Sequence, residues 1–85
     1  MRYSKPGMSE TLDTRGLLCP LPVIRTQDAI KHLTNGTKLE VLASDPGTLH
    51  DIPAWCRVHA HELSHCEESE GEFRFMIIVN KTEAV

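Results

Sequence analysis

Hydrophobic and polar residues change their period several times along this chain of 85 residues. Glu10-Thr11-Leu12-Asp13 reads as a short strand that ends at Arg15-Gly16, where glycine permits a turn. From Pro22 onward Val23, Thr26, Ile30 and Leu33 recur at helical spacing, and Asn35-Gly36 supplies a C-terminal stop. Lys38 to Ala43, containing Leu39, Val41 and Leu42, reads as a largely buried strand. A helix that crosses between two strands normally makes them parallel, so these elements form a βαβ unit.

Ser44-Asp45-Pro46-Gly47-Thr48 is turn chemistry, and a second helical stretch follows through Ile52, Trp55, Cys56 and His59. Pro53 limits where that helix opens. Proline is costly beyond the first turn, so the main helix is expected to open near Asp51, capped by it, after a short 3₁₀ turn. Leu63 to Glu67 and Phe73 to Val79 are the last two strands, and Phe73, Phe75, Ile77 and Val79 alternate with Arg74, Met76 and Ile78. Glu68-Ser69-Glu70-Gly71 joins them as an antiparallel hairpin. The order βαβαββ predicts an α/β (α+β) two-layer sandwich, a four-stranded mixed sheet with two helices on one face. Residues 1–8 are expected to be a flexible N-terminal segment, 9–80 a single domain and 81–85 a C-terminal tail, with no internal repeat or linker.

Composition narrows the class. A chain of this length supports one modest core. The formal charge of −3 and the lack of any basic run or aromatic-basic stripe argue against direct nucleic-acid binding. Three cysteines, an odd number, argue against a disulfide framework, and no apolar run approaches a membrane span. Met1 to Gly7 lack the apolar core and cleavage pattern of a signal peptide. The expectation is a reduced, cytoplasmic protein.

Cys19-Pro20-Leu21-Pro22 carries the candidate chemistry. Two prolines two residues apart can share a helix only at its start. With Pro20 as the first helical residue, Cys19 is the N-cap and its sulfur lies near the free amide of Leu21. Because a residue before proline disfavours helical geometry, the helix can instead begin at Pro22, with Cys19 further out on the preceding loop. In either case the thiol stands near the positive end of a helix dipole and is expected to ionise more readily than a free cysteine. The bland alternative is a small buried hydrophobe behind a proline-started helix.

Arg15, four residues before Cys19, either stabilises its thiolate or meets an acidic partner, or is an ordinary solvated loop arginine. Asp13 and Asp45 read as turn and capping residues, and Arg25 and Lys31 as exposed helix charges. Cys56 shares a helical face with Ile52 and His59 and reads as core. His59, His61, His65 and Cys66 can be drawn as a zinc cluster, but their spacing matches no standard finger or ribbon and straddles a helix end and an alternating strand. No metal is expected. A resolving disulfide between Cys19 and Cys66 is conceivable, but the sequence gives no distance for it.

Leu12-Asp13-Thr14-Arg15-Gly16-Leu17-Leu18-Cys19-Pro20-Leu21-Pro22 resembles the signature of the TusA (SirA-like) sulfur carriers, a Cys-Pro-x-Pro cysteine after a Leu-Asp-x-Arg-Gly-Leu lead-in. Gly36, Leu39-Glu40-Val41, Ser44-Asp45-Pro46-Gly47, Asp51-Ile52-Pro53-Ala54-Trp55-Cys56 and His61-Glu62-Leu63 follow in the family's order, so the resemblance spans about residues 10 to 80. It implies a βαβαββ sandwich and a sulfurtransferase whose Cys19 carries sulfane sulfur as a persulfide, with Pro20, Pro22 and Arg15 as motif support and no cofactor. Implied partners are a cysteine desulfurase or rhodanese-type donor and a TusD/DsrE-like or other thiol acceptor. The route implied is tRNA 2-thiouridine synthesis, molybdenum-enzyme sulfur supply or cytoplasmic sulfur oxidation, with the carrier a monomer. The runner-up is a regulatory or metal/thiol-binding module of the same fold whose cysteine is never loaded.

Overall fold

The computed structural model describes residues 9–81. The expected flexible segment 1–8 and all of the expected tail but Lys81 lie outside the described residues. The elements are β1 (Ser9–Asp13), α1 (Leu21–Ile30), β2 (Lys38–Ala43), α2 (Thr48–Val58), β3 (Glu62–Ser69) and β4 (Glu72–Ile78), the order βαβαββ. They form one four-stranded sheet in the order β1-β2-β4-β3. β1 runs parallel to β2, with Asp13 opposite Leu42, while β4 is antiparallel to both β2 and β3.

The alternation along the two central strands sets the layers. Leu39, Val41 and Ala43 from β2 and Phe73, Phe75 and Ile77 from β4 are all buried, with Val79 just beyond. They face Ile30 of α1 and Ile52 and Cys56 of α2, and Leu12, Val23, Leu33, Trp55 and Leu63 close the margins of this cluster. Such a contiguous apolar layer is the main stabilising element of a domain this small. On the other face Glu40 and Arg74 pair at 3.0 Å, and Arg74 also bonds Glu67. The helices therefore cover one face only.

Three details differ from expectation. α1 stops at Ile30, and Leu33 reaches the core through a tighter turn in which the amides of His32 and Leu33 donate to Ala29 and Ile30. Gly36, at φ +90°, then turns the chain and donates to the Val79 carbonyl at 2.8 Å. The hairpin loop is only Glu70-Gly71, both with positive φ, so the strands extend further than their apolar alternation indicates.

The largest departure is α2, which opens at Thr48 and not near Asp51, and contains Pro53 in its interior. Its first turn is knit by the amides of Thr48, Leu49 and His50 donating three residues back, and the buried Thr48 hydroxyl bonds the Asp45 carbonyl at 2.7 Å. That anchoring outweighs one ladder bond lost at Pro53. Gly47 is the N-cap, and Asp51 lies in the first turn.

Candidate functional site

Parallel pairing of β1 and β2 brings the segments that leave both strands to the same edge of the sheet. Thr14 extends β1, its amide and hydroxyl both donating to the Leu42 carbonyl, at 2.7 and 2.6 Å. Asp13 accepts the Arg15 amide at 3.0 Å, as expected of a turn residue. Gly16, at φ +87°, donates to Ser44 Oγ at 2.8 Å. The lead-in to Cys19 is thus stitched to the exit of β2 before the first helix starts.

The helix start differs from both variants read from the sequence. Pro20 is the N-cap, Leu21 the first helical residue and Pro22 the second. The Leu21 amide donates to the Leu18 carbonyl at 2.9 Å across a four-residue turn whose Cys19–Pro20 peptide is cis. The amide expected to face the sulfur is therefore occupied, and those of Val23 and Ile24 close on the Pro20 carbonyl. Cys19 stands one residue outside the cap.

Its sulfur instead lies against the opening of α2. The Cys19 amide donates to Asp45 Oδ2 at 2.8 Å. A Cβ placed on Gly47 would come within 3.1 Å of Cys19 Sγ and 3.5 Å of Asp45 Oδ2, so thiol, carboxylate and helix cap occupy one small space. Burial, hydrogen bonds to Asp45 and Asp51, and their negative charge push the Cys19 thiol up to about 12. This reverses the expectation of a readily ionised thiol, because burial and, after it, two neighbouring carboxylates disfavour the thiolate. Asp45 in turn is held below the usual carboxylate range by accepting from Cys19, thiol and amide, and from the Gly47 amide.

Asp45 thus has its expected turn role and also touches the thiol. Gly47 and Asp51 were missed as thiol neighbours. The signal available was the Ser44-Asp45-Pro46-Gly47 turn, which a parallel β1–β2 pairing necessarily sets beside the cysteine loop. Arg15 is engaged elsewhere: its guanidinium grips Asp13 at 2.9 and 2.8 Å and reaches Glu72 at 3.3 Å. Pro22 is buried on the core side of α1, and Pro20 is exposed beside the half-buried Cys19. Leu18 (72% exposed), Leu21, Ile24 and Leu49 are exposed apolar side chains on the segment of the thiol and on the first turns of α1 and α2.

The remaining candidates lie apart. Cys56 is in the core and Cys66 is exposed on β3, and all three cysteines are free. His59 and His61 lie against the Trp55 ring at 4.7 and 5.2 Å, whereas His65 faces Glu67 on β3. Among the described residues no three histidine, cysteine or carboxylate groups converge to hold a metal. One surface groove of about 440 Å³ is lined by Leu42, Glu67, Glu72 and Arg74, and another of about 520 Å³ by Lys31, Trp55, His59 and His61. Neither includes Cys19. No helix of the described residues is long and apolar enough to cross a membrane.

Known proteins share this arrangement. The backbone superposes on the crystal structure of a SirA-like protein from Desulfitobacterium hafniense with a TM-score of 0.73, at 23% identity, covering 85% of this chain and 99% of that one, a likeness of fold. Two Neisseria meningitidis proteins named as sulfur carriers, from serogroups A and B, are each 42% identical over 69 residues, 81% of this chain and 93% of theirs. The family described as Sulfurtransferase TusA matches residues 10–79, from β1 through the last buried residue of the sheet. The chain belongs to the TusA family of sulfur carriers.

Proposed function

We propose that this protein carries sulfane sulfur as a persulfide on Cys19, taking it from a donor such as a cysteine desulfurase or a rhodanese and passing it to a thiol of a TusD/DsrE-like or other acceptor. The observation that carries this reading is the presentation of Cys19: half-buried and free, on a segment that with the adjoining helix starts also carries the exposed side chains of Leu18, Leu21, Ile24 and Leu49. Exposed apolar side chains grouped on one surface are costly unless a partner covers them. A thiol on the same segments suits exchange between proteins.

The transfer is a displacement at sulfur. The Cys19 thiolate attacks the terminal sulfur of the donor persulfide, one S–S bond forms and one breaks, and the donor cysteine leaves as its thiolate. No net oxidation occurs, and Cys19 is both nucleophile and carrier, so the protein needs no cofactor of its own. A monomer in a reduced cytoplasm suits successive docking, and 2-thiouridine synthesis on tRNA or cytoplasmic sulfur trafficking is the destination that the family resemblance favours.

The suppressed ionisation of Cys19, packed beside Asp45 and Gly47, is what favours the other reading, a module of this fold whose cysteine is never loaded. Mass spectrometry after incubation with a cysteine desulfurase, L-cysteine and pyridoxal phosphate separates the two. A gain of one sulfur atom on Cys19, abolished by Cys19→Ser with the fold retained, is expected. A chain that stays unmodified while a small model thiol is loaded rules the carrier out.

A further inference from the structure

Five of the eleven carboxylates among the described residues pair with a lysine or arginine. Asp13 and Glu72 share Arg15, Glu40 and Glu67 share Arg74, and Asp28 faces Lys31. Asp45 and Asp51, the two that flank Cys19, have no cationic partner among the described residues. The only cation in the lead-in to the cysteine, Arg15, is bound to Asp13 and Glu72. An acidic pair without a cation therefore lies beside a cysteine whose own segment and neighbouring helix starts carry the exposed side chains of Leu18, Leu21, Ile24 and Leu49.

We propose that the protein exchanging sulfur with Cys19 covers these exposed side chains with apolar ones and presents a lysine or arginine to Asp45 and Asp51, and that this cation frees the thiol to react. The inference rests on the carrier reading and adds to it the chemistry of the partner and the moment of activation. In the free protein the two carboxylates hold the Cys19 proton and keep the thiol idle toward stray electrophiles and oxidants. A docked cation offsets their charge. The proton then passes to water, the positive end of α2 beside Gly47 is no longer opposed, and the thiolate attacks the donor's terminal sulfur.

The two roles of the acidic pair act in opposite directions on two measurements, which makes the inference testable. In a Cys66→Ser background, where the exposed competing thiol is gone, Asp45→Asn and Asp51→Asn should each raise the rate of Cys19 alkylation by iodoacetamide at pH 7 by about tenfold, the effect of removing one opposing charge. The same variants should lower the second-order rate constant for loading from a persulfidated cysteine desulfurase at low ionic strength, by about tenfold, and flatten its salt dependence. If the pair only depressed the thiol, loading would rise together with alkylation; either that result or unchanged alkylation overturns the proposal. Wild-type protein that loads no better than its variants removes this inference and leaves the carrier reading standing, whereas wild-type protein that never loads removes both. Asparagine keeps an oxygen for the Cys19 amide at position 45, and Asp51→Asn provides an independent variant within a helix. Circular dichroism melts confirm that both remain folded.

Discussion

The amide of Cys19 donates to Oδ2 of Asp45 at 2.8 Å, a bond between residues 26 positions apart that ties the segment after β1 to the turn after β2. Through it a residue with an ordinary turn signature becomes a neighbour of the Cys19 thiol. Asp45 orients the cysteine loop and at the same time opposes ionisation of its sulfur.

Alkaline pH should weaken the fold through its cysteines. Cys19 is raised to about 12 and Cys56, by burial, to about 11, against an ordinary 9.0. The unfolded chain therefore releases these protons at lower pH than the folded one. Their contribution to stability is complete below about pH 9 and drains away as pH rises toward 11 to 12. Urea melts between pH 8 and 11 should show a shallower decline for Cys19→Ser than for wild type. Identical slopes would mean that Cys19 titrates normally.

Arg15 should act on Asp13 and leave the thiol alone. Its guanidinium holds the Asp13 carboxyl down to about 2, chiefly by hydrogen bonding. The stabilising effect is present above the ordinary 3.8 and is lost as pH falls toward 2. Arg15→Ala should return Asp13 to the ordinary carboxylate range in a carbon-detected NMR titration. Cys19 alkylation at pH 7 should stay within about a factor of two, since the pair is exposed and its field is screened. A larger change would assign Arg15 to the thiol.

The hairpin can be improved. Glu70 holds φ +51° beside Gly71 at φ +79°, a turn that favours asparagine followed by glycine. Glu70→Asn should stabilise the domain by about 1 kcal/mol, or about 4–8 °C in a thermal melt for a chain of this size. A fall in Tm would show that Glu70 contributes more through its charge than it costs in backbone conformation.

Phe75 is the largest fully buried side chain, opposite Val41 on β2 and Cys66 on β3. Phe75→Ala should cost about 3–5 kcal/mol by lost burial and residual cavity. Chemical denaturation should register this as a lower midpoint with little change in slope. A loss under 1 kcal/mol would mean that the two layers close over the gap.

Much of the architecture is legible in local sequence because it follows from periodicity. Phe73, Phe75, Ile77 and Val79 alternate and occupy one face of β4, and Val23, Thr26 and Ile30 meet the core through one side of α1. Helix boundaries were less accessible. Pro53 has an unfavourable local propensity, yet α2 passes through it because Thr48 is buried and bonded to Asp45, a preference set by packing. The start of α1 likewise depends on the bond from Leu21 to Leu18, which neither proline alone specifies.

The sequence by itself determined the order of elements, the apolar core and the presence of one thiol beside two prolines, since each rests on residue type and spacing over a few turns of chain. Only the tertiary structure decided what that thiol faces. Parallel pairing of β1 with β2 carries Asp45, Gly47 and Asp51 to Cys19 from more than two dozen residues away, and burial there together with the two carboxylates outweighs the helix dipole. Whether a cysteine at a helix start is acidic depends on charges that local sequence does not bring together.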